Sequence, residues 1–395
     1  MKEVYVDHSA TTKLDKKVLE AMLPYLEEDY GNPSSLYRLG RKAKETVENS
    51  RQNIASIIGA KPEEIYFTSG GTEANNTLIK GIARTYKKKG NHIITSKIEH
   101  PSVLDSCKAL EKEGFEVSYV NVLENGQLDI EDLNNKIKES TILISVMYAN
   151  NEIGTIQPIE EISKIAKEKG IYFHTDAVQA IGSMDIDVEK LGVDALTLSA
   201  HKFYGPKGIG AFYIKKGVRF EKYISGGHQE KNKRAGTENV AGIIGMAKAL
   251  ELSREDLEEN NERIKSLRDY YLDEVKKRIP HIKINGYLIN RLPGNANISY
   301  EFIEGESLLL YLDLKGIYAS TGSACSSDSL EPSHVLLAIG VPHEIAHGSL
   351  RVSIGKNNTK EEIDYLVDNL VEIVGKLREL SPLYEKVNKG DQINV

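Results

Sequence analysis

Cysteine is scarce. The chain has 395 residues but only two cysteines, Cys107 and Cys325. Two can close one disulfide at most, and a fold of this length does not need it, so both thiols are expected free and the cytoplasm is the expected compartment. Nor can they form a four-ligand zinc site by themselves. No run of about 18 uncharged apolar residues occurs, so no membrane span is expected. The opening stretch, residues 1–15, carries early acidic residues and no apolar core, and does not read as a signal peptide. Positive charge is not in surplus: the formal net charge is −7, which argues against a general nucleic-acid surface. Internal repeats and low-complexity tracts are absent too.

What is present is a long soluble chain, 40% hydrophobic and 28% charged. Its length suggests one large and one smaller domain. Short apolar runs read as strands at Ile65–Thr68, His92–Ser96, Phe115–Val120, Ile142–Tyr148, Ile171–Thr175, Ala195–Ser199 and Gly210–Ile214. Amphipathic helical stretches lie between several of them, at Thr72–Lys89, Ser102–Lys112 and Ile159–Lys169. This alternation predicts an α/β fold with a mostly parallel sheet flanked by helices. Ligands of such sheets bind at the carboxyl ends of the strands. A charged helical pattern over Val240–Ile279 reads as a linker helix. Strands at Ile282–Ile284 and Ala296–Tyr300 and helices at Glu306–Leu314 and Lys360–Leu380 would build a smaller α+β domain. Ser381–Val395 reads as a frayed terminus. The expected division is an N-terminal segment 1–15 joining the small domain, a large domain 16–255 and a small domain 256–395.

Chemistry-bearing residues cluster where strands end. Ser69-Gly70-Gly71-Thr72-Glu73 follows a strand and opens a helix; glycines and free N–H groups there suit a phosphate, although a tight turn with Thr72 as a plain helix cap is the commoner reading of such a motif alone. Asp176 ends an apolar strand, where a carboxylate would keep a pyridinium nitrogen protonated; on this segment alone the helix-cap reading prevails. Lys202 sits in the Gly/Pro-rich loop Ser199–Gly208, one β-α-β unit later. A lysine there can form a Schiff base with an aldehyde cofactor, with Ser199 and His201 donating to its phosphate. Lys207 competes for that role. His100 can stack on a planar cofactor and shuttle protons, or cap the helix that Pro101 opens. Asn151 lies in a turn after Ile142–Tyr148. Cys325 lies among small and hydroxyl residues, a poor setting for a core cysteine and a suitable one for a reactive thiol. Cys107 sits in an amphipathic helix and reads as buried filler.

Together these residues resemble the cysteine desulfurases of the NifS/IscS type, class V aminotransferases of the fold-type I pyridoxal-phosphate enzymes. The match runs essentially the full length. It includes Asp7–Thr12, Gly31-Asn32-Pro33, the turns at 69–73 and 99–101, Asn150–Thr155, Thr175–Gln179, Ser199–Gly210, Arg234–Val240, Gly322–His334 and Ala346–Arg351. The resemblance implies that Lys202 holds the cofactor, Asp176 pairs with its pyridinium nitrogen, Gln179 meets its phenolic oxygen with Asn151 near that side, and His100 stacks on the ring. Gly71, Thr72, Ser199 and His201 would bind the phosphate. Thr237 would reach the phosphate of a neighbouring subunit, making a homodimer. Arg351, with Asn32 and Asn151, would hold the substrate L-cysteine, a bidentate guanidinium being suited to a carboxylate. Cys325 would accept the sulfur as a persulfide and pass it on. An iron–sulfur scaffold protein is the expected acceptor, with Cys325 also a candidate ligand of a 2Fe-2S cluster shared with it. Other acceptors, tRNA thiolation and selenocysteine lyase activity are alternatives. The segment Leu380–Glu385 is also similar to the housekeeping iron–sulfur assembly enzymes. Two departures stand out: Tyr37 occupies the place of a frequent family histidine, and the turn 227–234 is lysine-rich.

Overall fold

The computed structural model describes residues 2–321 and 331–388, so Cys325 lies outside the described residues. The strands are β1 (Val4–Tyr5), β2 (Ile65–Thr68), β3 (His92–Ser96), β4 (Glu116–Val120), β5 (Thr141–Ser145), β6 (Tyr172–Asp176), β7 (Ala195–Ser199), β8 (Gly210–Ile214), β9 (Ile282–Ile284), β10 (Asn295–Tyr300), β11 (Ile317–Tyr318) and β12 (Ser349–Ser353).

Seven of them form one sheet in the order β2-β8-β7-β6-β5-β3-β4. β8 runs antiparallel to both neighbours, and the remaining pairs are parallel. Strands β3, β5, β7 and β8 are buried along their whole length, as expected where helices cover both faces of a parallel sheet. The helix Ile159–Lys169 shows how the cover is made. Ile159, Ile162, Ser163 and Ala166 form its buried stripe, Glu160 and Glu161 occupy its first turn and Lys167 and Lys169 its last, and Gly170 ends it in the left-handed conformation (φ 67°). That charge order follows the helix dipole. Because β2 is antiparallel to β8, and β8 to β7, the carboxyl ends of β2, β3, β5, β6 and β7 share one edge. The turns carrying Thr72, His100, Asn151, Asp176 and Lys202 all leave from that edge.

A separate core gathers Val4 and Val6 with residues from Ile264 to Val374. Its sheet has the order β12-β10-β9, all antiparallel. Along β12 the period of two puts Leu350 and Val352 into this core, and therefore turns Arg351 to the opposite face.

Three expectations needed correction. The helical stretch Val240–Ile279 is two helices, Val240–Glu255 and Leu257–Arg278, broken at Asp256 (φ −124°). The first packs on helices Lys16–Glu27 and Arg38–Ile57 and the second on Lys360–Glu379, so the break comes where the chain changes cores. Ser381–Val395 was expected to fray, yet Pro382–Asn388 is helical. Tyr384 holds it, with its ring 5.7 Å from Phe302 and 5.5 Å from the Arg378 guanidinium. Finally, β5 stops at Ser145 instead of continuing to Tyr148. Beyond it, the Met147 amide turns to the Glu99 carboxylate and the Tyr148 amide to the Asp176 carbonyl.

Candidate active site

A cavity of about 390 Å³ opens at the carboxyl edge of the large sheet. Gly71, Thr72, His100 and Asn151 line it, as do Asp176, Gln179, Ser199, His201, Lys202 and Arg351. These are ten of the residues singled out from sequence. Asn32 and Thr237 are exposed and lie outside this lining. Asn32 sits in a surface turn, its Oδ1 accepting from the Ser34 amide at 2.9 Å. Lys207 lines only an open outer cleft beside Ser69–Glu73 and is exposed, which leaves Lys202 as the lysine of the inner cavity.

Asp176 is 6% exposed. Its Oδ1 accepts from the Val178 amide at 3.0 Å and its Oδ2 from Asn75 Nδ2 at 2.7 Å. The Asn75 amide also donates to Ser102 Oγ at 2.9 Å, and Ser102 Oγ lies 2.8 Å from His100 Nδ1. One buried amide thus ties the carboxylate to the imidazole. The Ser102 amide donates to His100 Nδ1 at 3.1 Å, so the neutral ring carries its proton on Nε2. Burial lowers the His100 pKa, against the opposing pull of Asp176, and favours that neutral form. His100 therefore both caps its helix and lines the cavity. His201 is likewise neutral, its pKa pushed down to about 4 by burial and by the nearby lysines.

Lys202 Nζ donates to the backbone carbonyls of Ser9, at 2.5 Å, and Ala10, at 2.8 Å. Gln179 Nε2 donates to the Ser9 carbonyl at 2.9 Å. The N-terminal segment thus straps the lysine from below. At the other end of the cavity, Arg351 is 2% exposed. Its Nη2 donates to Asp7 Oδ1 at 2.8 Å and its Nη1 to the Asn151 carbonyl at 3.4 Å, while Nε has no acceptor among the described residues.

These residues fit pyridoxal phosphate. Helix Gly71–Tyr86 directs its free N-terminal amides towards the site, a natural anion seat. A Cβ on Gly71 would come within 2.8 Å of Val178 Cγ2 and 3.6 Å of Ser199 Cβ, so the floor of the phosphate end is shaped for a residue without a side chain. Buried Asn75 Oδ1 has no partner among the described residues.

The comparisons agree. The model of the family "Aminotransferase class-V" matches residues 4–366. A protein named cysteine desulfurase IscS from Dictyoglomus turgidum is 57% identical over 390 residues, covering 98% of this chain and 99% of that one. One of the same name from Methanosarcina thermophila is 57% identical over 385 residues, covering 98% and 95%. A solved structure titled NifS-like protein superposes with a TM-score of 0.90 at 41% identity, covering 95% of this chain and all of the other. The chain belongs to the cysteine desulfurases, pyridoxal-phosphate enzymes of the class V aminotransferase family.

Within this cysteine desulfurase site, several residues escaped the sequence reading. Asn75 is one helical turn beyond Thr72, and its polar side chain on the buried face of a helix was the available signal. Asp7 lay inside a quoted motif but received no role. Glu99 is fully buried; burial drives its pKa up to about 8, against its bonds from Ser96 Oγ at 2.5 Å and the Met147 amide at 3.0 Å. Glu152 is buried too, its pKa raised to about 7 by desolvation and opposed by its bond from Ser333 Oγ. His334 also lines the cavity, its Nε2 lying 3.0 Å from the Glu99 carbonyl. Cys107, by contrast, is fully buried in the core, and burial pushes its thiol up to about 12.

Proposed function

We propose that the chain removes sulfur from L-cysteine, releasing L-alanine and leaving a persulfide on Cys325 for transfer to an acceptor. The observation that carries this is the placing of Lys202, Asp176 and Arg351 around one cavity. Bound pyridoxal phosphate supplies an electron sink for charge developing at the substrate Cα. Asp176 would face its ring nitrogen, Gly71, Thr72, Ser199 and His201 its phosphate, and Gln179 and Asn151 its phenolic side. Arg351 takes the α-carboxylate and fixes the amino acid's orientation. Lys202 Nζ removes the Cα proton, and His100 holds a transferable proton at Nε2. The substrate Cβ–Sγ bond then breaks with its electron pair left on carbon, which takes a proton. A new S–S bond forms to the Cys325 thiolate. The sum is L-cysteine plus Cys325 thiol giving L-alanine plus Cys325 persulfide.

The wider reading is also ours. A core that holds Val4 and Val6 with the later residues, separate from the one around Val18 and the large sheet, supports the division into residues 1–15, 16–255 and 256–395, and a smaller cluster joins Ile98, Met147 and Ile153 to Val335, Leu336 and Ile339 across it. We assign a homodimer in which exposed Thr237 serves the neighbour's phosphate and Asn32 lies near the substrate entrance. We assign an iron–sulfur scaffold as the acceptor, in keeping with relatives that carry the name IscS, and the cytoplasm as the compartment, in keeping with only two cysteines in 395 residues. Among the described residues no helix can cross a membrane and no cluster of three ligating side chains could hold a metal. Cys325 and buried Cys107 are the only two thiols of the sequence, and a 2Fe-2S cluster at Cys325 would take its other ligands from the scaffold.

Mass spectrometry of the intact holoenzyme after L-cysteine tests the proposal. One added sulfur is expected on Cys325 and none on buried Cys107. Cys325→Ser protein that still releases sulfide at the full rate overturns the acceptor role. Lys202→Ala protein that keeps a covalently bound cofactor overturns the role of the lysine.

A further inference from the structure

The guanidinium of Arg351 has a carboxylate partner within the protein itself. Asp7 Oδ1 sits 2.8 Å from Nη2, and the two side chains are 15% and 2% exposed. Asp7 is itself fixed: its carbonyl accepts from the Ala10 and Thr11 amides and from Tyr5 Oη at 3.0 Å. It lies on the segment whose next carbonyls, Ser9 and Ala10, hold Lys202. The buried Nε of Arg351, without an acceptor among the described residues, is a donor available to an incoming carboxylate.

We propose that Asp7 is a positioning residue that shares Arg351 with the α-carboxylate of the amino acid and so limits how tightly the site holds carboxylates. This rests on the reading of Arg351 as the carboxylate anchor. Two carboxylates on one guanidinium repel each other in a poorly solvated cavity. Asp7 holds the cation in place at rest, and the same negative charge weakens the grip on substrate and product. L-Alanine leaves with the carboxylate that L-cysteine brought, so a looser grip favours release. Two roles pull in opposite directions when Asp7 is neutralised: the site loses orientation of Arg351 but gains an uncompensated cation. The Asn151 carbonyl and burial still constrain the guanidinium, so the charge effect prevails.

The test is calorimetric binding of 3-mercaptopropionate, which has the carboxylate and thiol but no amine, to the holoenzyme. Cysteamine, which lacks the carboxylate, is the control. Asp7→Asn should bind 3-mercaptopropionate about tenfold more tightly than the unaltered protein and cysteamine within about twofold of it, as a charge effect confined to carboxylates requires. The KM for L-cysteine should fall and inhibition by L-alanine strengthen in parallel. Unchanged or weaker 3-mercaptopropionate binding overturns the proposal. Asp7→Glu keeps the charge and should stay within about threefold; a large loss or gain there shows that geometry, not charge, matters, and overturns it as well. Arg351→Gln protein that binds 3-mercaptopropionate as well as the unaltered enzyme overturns the anchor reading itself, and this proposal with it.

Discussion

The two ends of the cavity are built differently. Around Asp176, the partners are a neighbouring amide at Val178 and a side chain on the helix that opens with Gly71. All come from turns at one edge of one sheet. Around Arg351, the partner is Asp7, 344 positions away in sequence, on a segment belonging to the other core. The cofactor end is a product of local strand-to-helix turns. The carboxylate end exists only where two cores meet. The first should therefore behave as a rigid, pre-organised electrostatic site, and the second as one whose affinity can be tuned.

The largest effect should come from breaking the cofactor end. Asp176→Asn removes the negative charge opposite the ring nitrogen and should lower the rate of alanine formation by about 100-fold or more, with cofactor content retained. Steady-state kinetics with a cofactor assay checks this; a loss under about tenfold would place Asp176 no higher than the tunable end. A smaller effect is expected at the amide that donates to Asp176. Asn75→Ala removes a hydrogen bond to a buried carboxylate, a contribution that corresponds to about a tenfold fall in rate. Its KM for L-cysteine should stay close to normal, because Arg351 is untouched. A KM effect without a kcat effect would blur the separation of the two ends.

The smallest effect concerns stability. Folded Glu99 titrates near pH 8, above the ordinary value of 4.5. Between those values the native protein holds a proton that the unfolded chain has lost. The stabilising contribution is therefore full below about pH 4.5 and is lost as pH rises through about 8. Glu99→Gln cannot titrate. Its melting temperature should gain a few degrees on that of the unaltered protein as pH rises from about 5 to 9. Parallel melting curves across that range would count against a protonated Glu99.

Much of the cofactor end was legible without a structure. Strands β2, β3, β7 and β8 begin and end where continuous apolar runs give way to glycine or polar turns, because a parallel sheet covered on both faces needs uninterrupted hydrophobic strands. The turns that follow carry Asp176, His100 and Lys202, so these residues could be picked out as a set, although each alone was open to a plainer reading. Individually ambiguous motifs were also resolved by burial. Lys207 differs from Lys202 in facing an open cleft, and His100 caps a helix while facing the cavity. Other features carried no local pattern. Strands β1 and β11 have two residues each, too short for a period to appear. The break at Asp256 depends on which core each helix meets. The helix at Pro382–Asn388 depends on Tyr384 finding Phe302 and Arg378.

What the sequence by itself determined was the strand-helix alternation, the sheet edge at which function would gather, and the residues there able to carry a Schiff base, a charge or a phosphate. Such features follow from periodicity and turn chemistry, which act over a few residues. Only the tertiary structure decided that Asn75 would join Asp176 to His100 and that Asp7 would pair with Arg351. Those are contacts between side chains distant in sequence. They form because the two cores bury them together, where a charge must find a partner.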